Sequence, residues 1–184
     1  MLEAEVKLAL AADDGRRLAQ RLAALGAEPG PEHVQVDAYF AHPMRDFGAT
    51  DEALRLRLDD GALRITYKGP KLDPPRKTRE EIEFALATDV DSATRLLERL
   101  GFRPVATVRK RRRDHRLAGD PPAVVSIDDV EGLGSFCEVE IASESVAAGR
   151  AAIAAVLARL DLADRPPIAA SYLELLLARG AAGG

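Results

Sequence analysis

Glu3, Glu5 and Lys7 stand two residues apart, and charged alternations of the same kind recur along the chain. Arg55 goes with Arg57, Arg64 with Lys68, Arg79 with Glu81 and Glu83, and Glu138 with Glu140. The carboxylates are hard oxygen ligands of the kind that hold Mg²⁺ or Mn²⁺. The guanidinium and ammonium groups suit phosphate, arginine as a planar fork and lysine as a compact charge. Enclosing both signs together is costly unless each charge is paired or bound. A polyanion that carries a divalent cation satisfies both sets at once, as nucleoside triphosphates and inorganic polyphosphates do.

The elements that must position these charges are strands. Segments of period two fall at about 2–10, 34–40, 53–59, 62–68, 78–86, 105–114, 123–129 and 135–142. In each of the charged strands the opposite positions are apolar: Leu54, Leu56 and Leu58 oppose Arg55 and Arg57, and Cys137, Val139 and Ile141 oppose Glu138 and Glu140. Strand side chains alternate between faces, so the charges share one surface of a sheet. Asp60-Gly61 joins the third and fourth strands as a tight hairpin.

Four helices follow from apolar spacing at Asp14 to Leu25, Asp91 to Leu100, after Ser145 and after Ser171. Gly26 and Gly101 are C-terminal stops, and the two serines are N-caps. These helices supply cover for the apolar faces, including Ile82, Phe84 and Leu86 of the fifth strand. The expected fold is α+β: an eight-stranded antiparallel β-barrel, or tunnel, with helices packed on the outside and an ionic bore. A strand–helix–strand unit recurs, ending once in Leu25-Gly26-Ala27-Glu28-Pro29 and again in Leu100-Gly101-Phe102-Arg103-Pro104. Each half has too little core to stand alone, so one domain over 1–179 is expected, with a frayed tail at 180–184.

Other features narrow the field. The 184 residues carry a net charge of −4, which argues against a general nucleic-acid binder. No apolar run approaches a membrane span and no signal peptide is evident, so a cytoplasmic protein without membrane partners is expected. Cys137 is the sole cysteine, and His33, His42 and His115 lack metal-ligand spacing. Charge lies on both faces of the run Arg109 to Arg116, so periodicity alone does not choose its inward members. Lys71, Arg76 and Lys77 fall on a polar loop that either closes over phosphates or is simply solvated.

Glu3-Ala4-Glu5-Val6-Lys7 resembles the opening signature of the CYTH family, the triphosphate tunnel metalloenzymes. It is followed in order by Gln35-Val36-Asp37-Ala38-Tyr39-Phe40, Leu54-Arg55-Leu56-Arg57, Thr66-Tyr67-Lys68-Gly69-Pro70, Arg79-Glu80-Glu81-Ile82-Glu83, Val108-Arg109-Lys110-Arg111-Arg112, the stretch from Ile127-Asp128-Asp129 through Gly132-Leu133-Gly134 to Glu140, and Ser171 to Leu176. The resemblance implies metal ligation by Glu3, Glu5 and Glu138, with Glu140 assisting. It implies phosphate binding by Lys7, Arg55, Arg57, Lys68, Lys110 and Arg112. Arg79 joins these by its alternation, and Asp128 matches an acidic position in the bore.

Lys7, Arg57 and Lys68 are the cations expected to act in catalysis. The implied cofactor is Mg²⁺ or Mn²⁺ and the implied partner a small-molecule triphosphate, with homodimer formation left open. A class IV adenylate cyclase is the leading reading. A triphosphatase acting on thiamine triphosphate or tripolyphosphate comes next, followed by a non-catalytic polyphosphate-binding module and a plain interaction domain.

Overall fold

The computed structural model describes residues 2–70 and 80–182. Its eight strands are β1 (Leu2–Leu10), β2 (Glu28–Ala41), β3 (Ala53–Asp59), β4 (Ala62–Lys68), β5 (Glu81–Leu86), β6 (Arg103–Leu117), β7 (Ala123–Val130) and β8 (Gly134–Ser143). The helices are α1 (Asp14–Ala24), α2 (Val90–Arg99), α3 (Val146–Arg159) and α4 (Tyr172–Ala182). The strands form one sheet in the order β1-β8-β7-β6-β2-β3-β4-β5, and the β1–β8, β7–β8, β2–β3, β3–β4 and β4–β5 ladders are antiparallel. β1 and β5 end that order, so no ladder among the described residues joins them. No helix among the described residues is long and apolar enough to cross a membrane.

Local chemistry accounts for the boundaries. Asp60 and Gly61 both adopt positive φ, 45° and 82°, which gives the β3–β4 hairpin the twist its strands need. α1 and α2 stop in the same way. Gly26 takes φ 73° and Ala27 N–H donates to the Leu22 carbonyl; Gly101 takes φ 94° and Phe102 N–H donates to Leu97. Ser145 Oγ accepts from Ala148 N–H at the head of α3. Ser171 and Glu174 cap α4 reciprocally, each side chain accepting from the other's backbone N–H.

β2 and β6 are longer than their alternation implies. β2 starts at Glu28 and runs through Pro29 and Pro31, while β6 takes in Pro104 and continues to Leu117. Proline removes one ladder donor but is tolerated where a strand's N–H needs no partner, so a Pro-rich stretch can still be extended.

The chain divides into two compact units. The first holds residues 2–32 and 111–169. Its core sets Leu8, Leu10, Val125, Cys137, Val139 and Ile141 of the strands against Leu18 and Leu22 of α1, Ile153 and Val156 of α3, and Leu160 just after it. The second holds residues 33–70, 80–110 and 170–182. Its core joins Phe40, Leu54, Leu56 and Leu63 to Ala93 and Leu97 of α2, with Phe47 beside them. In each unit the apolar strand faces turn toward helices, which leaves the charged positions on the other side.

Two details depart from expectation. Ile82 and Phe84 of β5 are 50% and 56% exposed, not covered, because β5 ends the strand order and, among the described residues, pairs only with β4. Leu100, read as part of the α2 stripe, is exposed because the helix closes at Arg99 and turns away.

Candidate functional site

In the first unit the charged face forms a continuous network. β1 and β8 are paired so that Lys7 stands opposite Glu138 and Glu5 opposite Glu140. Lys7 Nζ lies 3.7 Å from Glu138 Oε1, with the ammonium almost fully buried. Arg112 donates Nε and Nη2 to the two oxygens of Asp128, at 2.7 and 2.6 Å. The same Nη2 donates to Glu138, and Nη1 lies 3.8 Å from Glu140. Burial by itself would disfavour the Arg112 charge. The hydrogen bonds of Asp128 and the charges of Glu138, Asp128 and Glu140 outweigh it and hold the guanidinium well above its ordinary pKa. Ser126 donates to Asp114 at 2.6 Å on the neighbouring strands.

The second unit carries its own buried cations. Arg57 donates Nε and Nη2 to Asp37 at 2.6 Å each, and Arg55 Nη1 reaches the same carboxylate at 3.4 Å. Burial pushes the Asp37 carboxyl up, but Arg57, Arg55 and Lys110 together bring it below its usual range. Arg55 also donates to Thr66, whose hydroxyl donates to Glu83. Lys68 pairs with Glu81 at 2.6 Å. The Lys110 ammonium sits 5.2 Å from the centre of the Tyr172 ring, a cation–π contact that holds the first residue of α4. Burial raises the Tyr39 hydroxyl, and the Asp37 charge adds to it.

The expected residues are therefore distributed as follows. Lys7, Arg112, Asp128, Glu138 and Glu140 meet in one network, with Glu5 across the ladder from Glu140. Arg55 and Arg57 meet on Asp37. Arg64, which shared their alternation, is half exposed and lies 3.5 Å from Glu83. Lys110 and Arg112 are buried, whereas Arg109, Arg111, Arg113 and Arg116 are exposed. Arg111 pairs there with Asp129, and Arg113 with Glu32. Arg79 and the loop cations Lys71, Arg76 and Lys77 lie outside the described residues, as does the side chain of Glu3. Of the histidines, His115 is buried, and burial lowers its pKa, with the Val125 carbonyl as the main opposing influence.

Asp37, the carboxylate that joins Arg55 to Arg57, is not among the charged alternations of the sequence. Its signal was present: Gln35, Asp37 and Tyr39 alternate with Val36, Ala38 and Phe40 on β2.

Among the described residues, no three carboxylate, imidazole or thiol groups already converge on a common metal point. The donor chemistry nevertheless fits a hard divalent cation. Glu5 and Glu140 face each other in register, and Glu138 is the next residue on the same face of β8. Arg112 and Lys7 already offset part of this negative charge, and carboxylate oxygens gathered on one face are the donors a hard divalent cation prefers.

An antiparallel α+β sheet protein whose charged strand faces hold buried guanidinium and ammonium groups beside carboxylates is thus defined by its own geometry. The family profile of the CYTH domain matches residues 1–165, and the chain belongs to that family. A Methanocaldococcus jannaschii protein provisionally named an adenylate cyclase is 38% identical over 178 residues, covering 95% of this chain and 98% of the relative. A solved structure from Pyrococcus horikoshii superposes with a TM-score of 0.83 at 35% identity, covering 96% of this chain and 99% of that one. A Hippeastrum protein, provisionally an adenylyl cyclase and described as having a dominant triphosphatase activity, shares the fold. Its TM-score is 0.67 at 15% identity, with 98% and 95% of the two chains covered.

Proposed function

We propose that this chain is a divalent-metal-dependent enzyme acting on a triphosphate, and specifically a class IV adenylate cyclase that converts ATP to cyclic AMP and pyrophosphate. The observation that carries the reading is the burial of four cations: Lys7, Arg55, Lys110 and Arg112 are each at most 8% exposed. Carboxylates such as Asp37, Asp128 and Glu138 hold these cations in place, and charge enclosed at that cost suits an anionic ligand. A polyphosphate offers several negative charges to such groups, and the name of the Methanocaldococcus relative agrees with ATP as its source.

In this reading Lys7, Arg55, Arg57, Lys68, Lys110 and Arg112 bind the triphosphate, and Arg79 joins them. Lys7, Arg57 and Lys68 stabilise charge that develops on the phosphoryl oxygens, so catalysis is chiefly placement and electrostatics. Asp37 and Asp128 keep the Arg57 and Arg112 forks planar to their targets. Glu3, Glu5 and Glu138, with Glu140 assisting, would hold Mg²⁺ or Mn²⁺. The cation would neutralise phosphate charge and help orient the attacking group.

The second reading is a triphosphatase, in which water attacks the terminal phosphorus. The same cationic clamp serves both reactions, and the fold is compatible with hydrolysis, as the Hippeastrum protein illustrates. Purified protein incubated with Mg²⁺ or Mn²⁺ and, separately, ATP, thiamine triphosphate and tripolyphosphate tests both. Cyclic AMP and pyrophosphate are the expected products from ATP. Release of phosphate alone selects the second reading, and no turnover with either metal rejects both.

A further inference from the structure

The charged face of β2 and β3 is laid out in rows. Tyr39 faces Arg55, Asp37 faces Arg57, and Gln35 faces Asp59. Successive rows on one face are roughly 7 Å apart, two residues of antiparallel strand. Gln35 therefore lies one row beyond Arg57, at the end of the run of cations that Arg55 and Arg57 form.

Gln35 is only 6% exposed, and its Oε1 has no hydrogen-bond partner among the described residues. Its amide nitrogen, in contrast, is engaged. Nε2 donates to Asp59 Oδ2 at 2.9 Å and lies 3.3 Å from His33 Nε2. Asp59 can only accept, so turning the amide would set Oε1 against a carboxylate. The orientation is locked, and the group left over is an acceptor. A buried acceptor with no donor is costly, and a ligand that brings the donor recovers that cost.

We propose that Gln35 is a specificity-determining residue that accepts a hydrogen bond from the exocyclic amino group of a heteroaromatic ring at the organic end of the triphosphate. Adenine carries such a group, as does the aminopyrimidine of thiamine; inorganic tripolyphosphate carries none. The inference rests on the triphosphate reading above and extends it by assigning the discrimination of the organic moiety to Gln35. A ring with a carbonyl in place of the amine presents oxygen to oxygen and is rejected. Asp59 acts as a positioning residue, because it fixes which end of the amide faces the ligand.

The test compares kcat/KM for ATP with that for ITP, and for thiamine triphosphate with that for its oxo analogue, using whichever pair the protein turns over. The amino substrate should be favoured by about 10- to 100-fold in the wild-type chain. In Gln35→Met the ratio should fall to within about threefold of unity. In Asp59→Asn the new carboxamide can donate to Oε1 and release Nε2 toward the ligand, so the ratio should move toward the oxo substrate. A positioning role confined to stability would shift the thermal melt and leave this ratio alone.

Equal use of both members of a pair by the wild type, or a wild-type ratio retained in Gln35→Met, overturns the inference while the triphosphate reading stands. If Gln35→Met fails to fold by circular dichroism, Asp59→Asn decides, and an unchanged ratio there overturns it. Wild-type turnover of tripolyphosphate reports on the triphosphate reading separately. Failure to consume any triphosphate removes that reading and this inference with it.

Discussion

Asp37 accepts Nε and Nη2, one edge of the Arg57 guanidinium, on its two oxygens and takes Arg55 on one of them, so a single carboxylate sets the direction of two arginines. The register makes this arrangement short-range in space, since Asp37 and Arg57 are cross-strand partners. A fork held in plane by a carboxylate is pre-set for a second planar or tetrahedral oxyanion on its open side.

Asp37→Asn keeps the shape and removes the charge. The buried Arg55 and the partly buried Arg57 then lose the carboxylate they share, and a loss of about 3–5 kcal/mol in stability is expected by denaturant titration. Tripolyphosphate should raise the melting temperature of this variant more than that of the wild type, because the anion replaces the missing carboxylate. The pH dependence has a definite sign. The native carboxyl titrates below its unfolded value of about 3.9, so its contribution is complete above that pH and fades as acid carries the protein through the lower native value. The variant should lack that part of the acid transition.

Glu5→Gln separates chemistry from folding. Glu5 is only partly buried, and an amide matches its size, so stability should hold within about 1 kcal/mol. If Glu5 holds the cation, metal-dependent turnover should fall by roughly 100-fold or more, and the Mg²⁺ or Mn²⁺ concentration for half-maximal rate should rise. Rates and thermal melts measured on one preparation check both halves. Full activity with unchanged metal response would remove Glu5 from the ligand set.

Arg112→Lys preserves charge and discards geometry. The variant ammonium cannot engage both Asp128 oxygens and also reach Glu138 and Glu140 as the fork does. A loss of roughly 1.5–3 kcal/mol is expected, with a higher KM for triphosphate. Retention of wild-type KM would show that Arg112 serves the fold and not the ligand.

Cys137 should be silent toward thiol reagents in the native state. It is fully buried, and burial, with Glu138 and Asp128 adding to it, pushes its thiol up to about 12. Labelling by a disulfide reagent at pH 8 should therefore track unfolding across a denaturant series. Rapid labelling of folded protein would contradict the packing described for β8.

Much of this was legible where one local rule decides the outcome. The Asp60-Gly61 turn fixes β3 and β4 to their observed ends, and Gly26 and Gly101 stop two helices by the same backbone geometry. The charged and apolar strand faces are likewise a matter of alternation. What alternation cannot supply is a choice when both faces are charged. Lys110 and Arg112 are selected over Arg109, Arg111 and Arg113 by the register of β6, which the run itself does not encode. Arg112 and Glu138 are 26 residues apart, so their pairing arises from strand order. The start of β2 was hidden for another reason: Pro29, Gly30 and Pro31 have turn chemistry but lie in extended backbone.

Gly149 in α3 provides the sharpest packing test, because two known effects oppose each other there. Alanine is favoured over glycine inside a helix by up to about 1 kcal/mol. A Cβ at position 149, however, would lie 2.7 Å from the Ala4 Cβ and 3.2 Å from the Ser143 Cβ, where α3 rides on β1 and β8. Ser143 cannot easily retreat, since its hydroxyl donates to the Ser145 carbonyl at 2.7 Å. Overpacking of this kind costs about 1–3 kcal/mol, so Gly149→Ala should destabilise on balance. Gly180→Ala in α4 meets nothing within 4 Å and should instead stabilise slightly. Thermal melts of the two variants should move in opposite directions. A gain in both would mean that the contact between α3 and the strands is looser than these distances require.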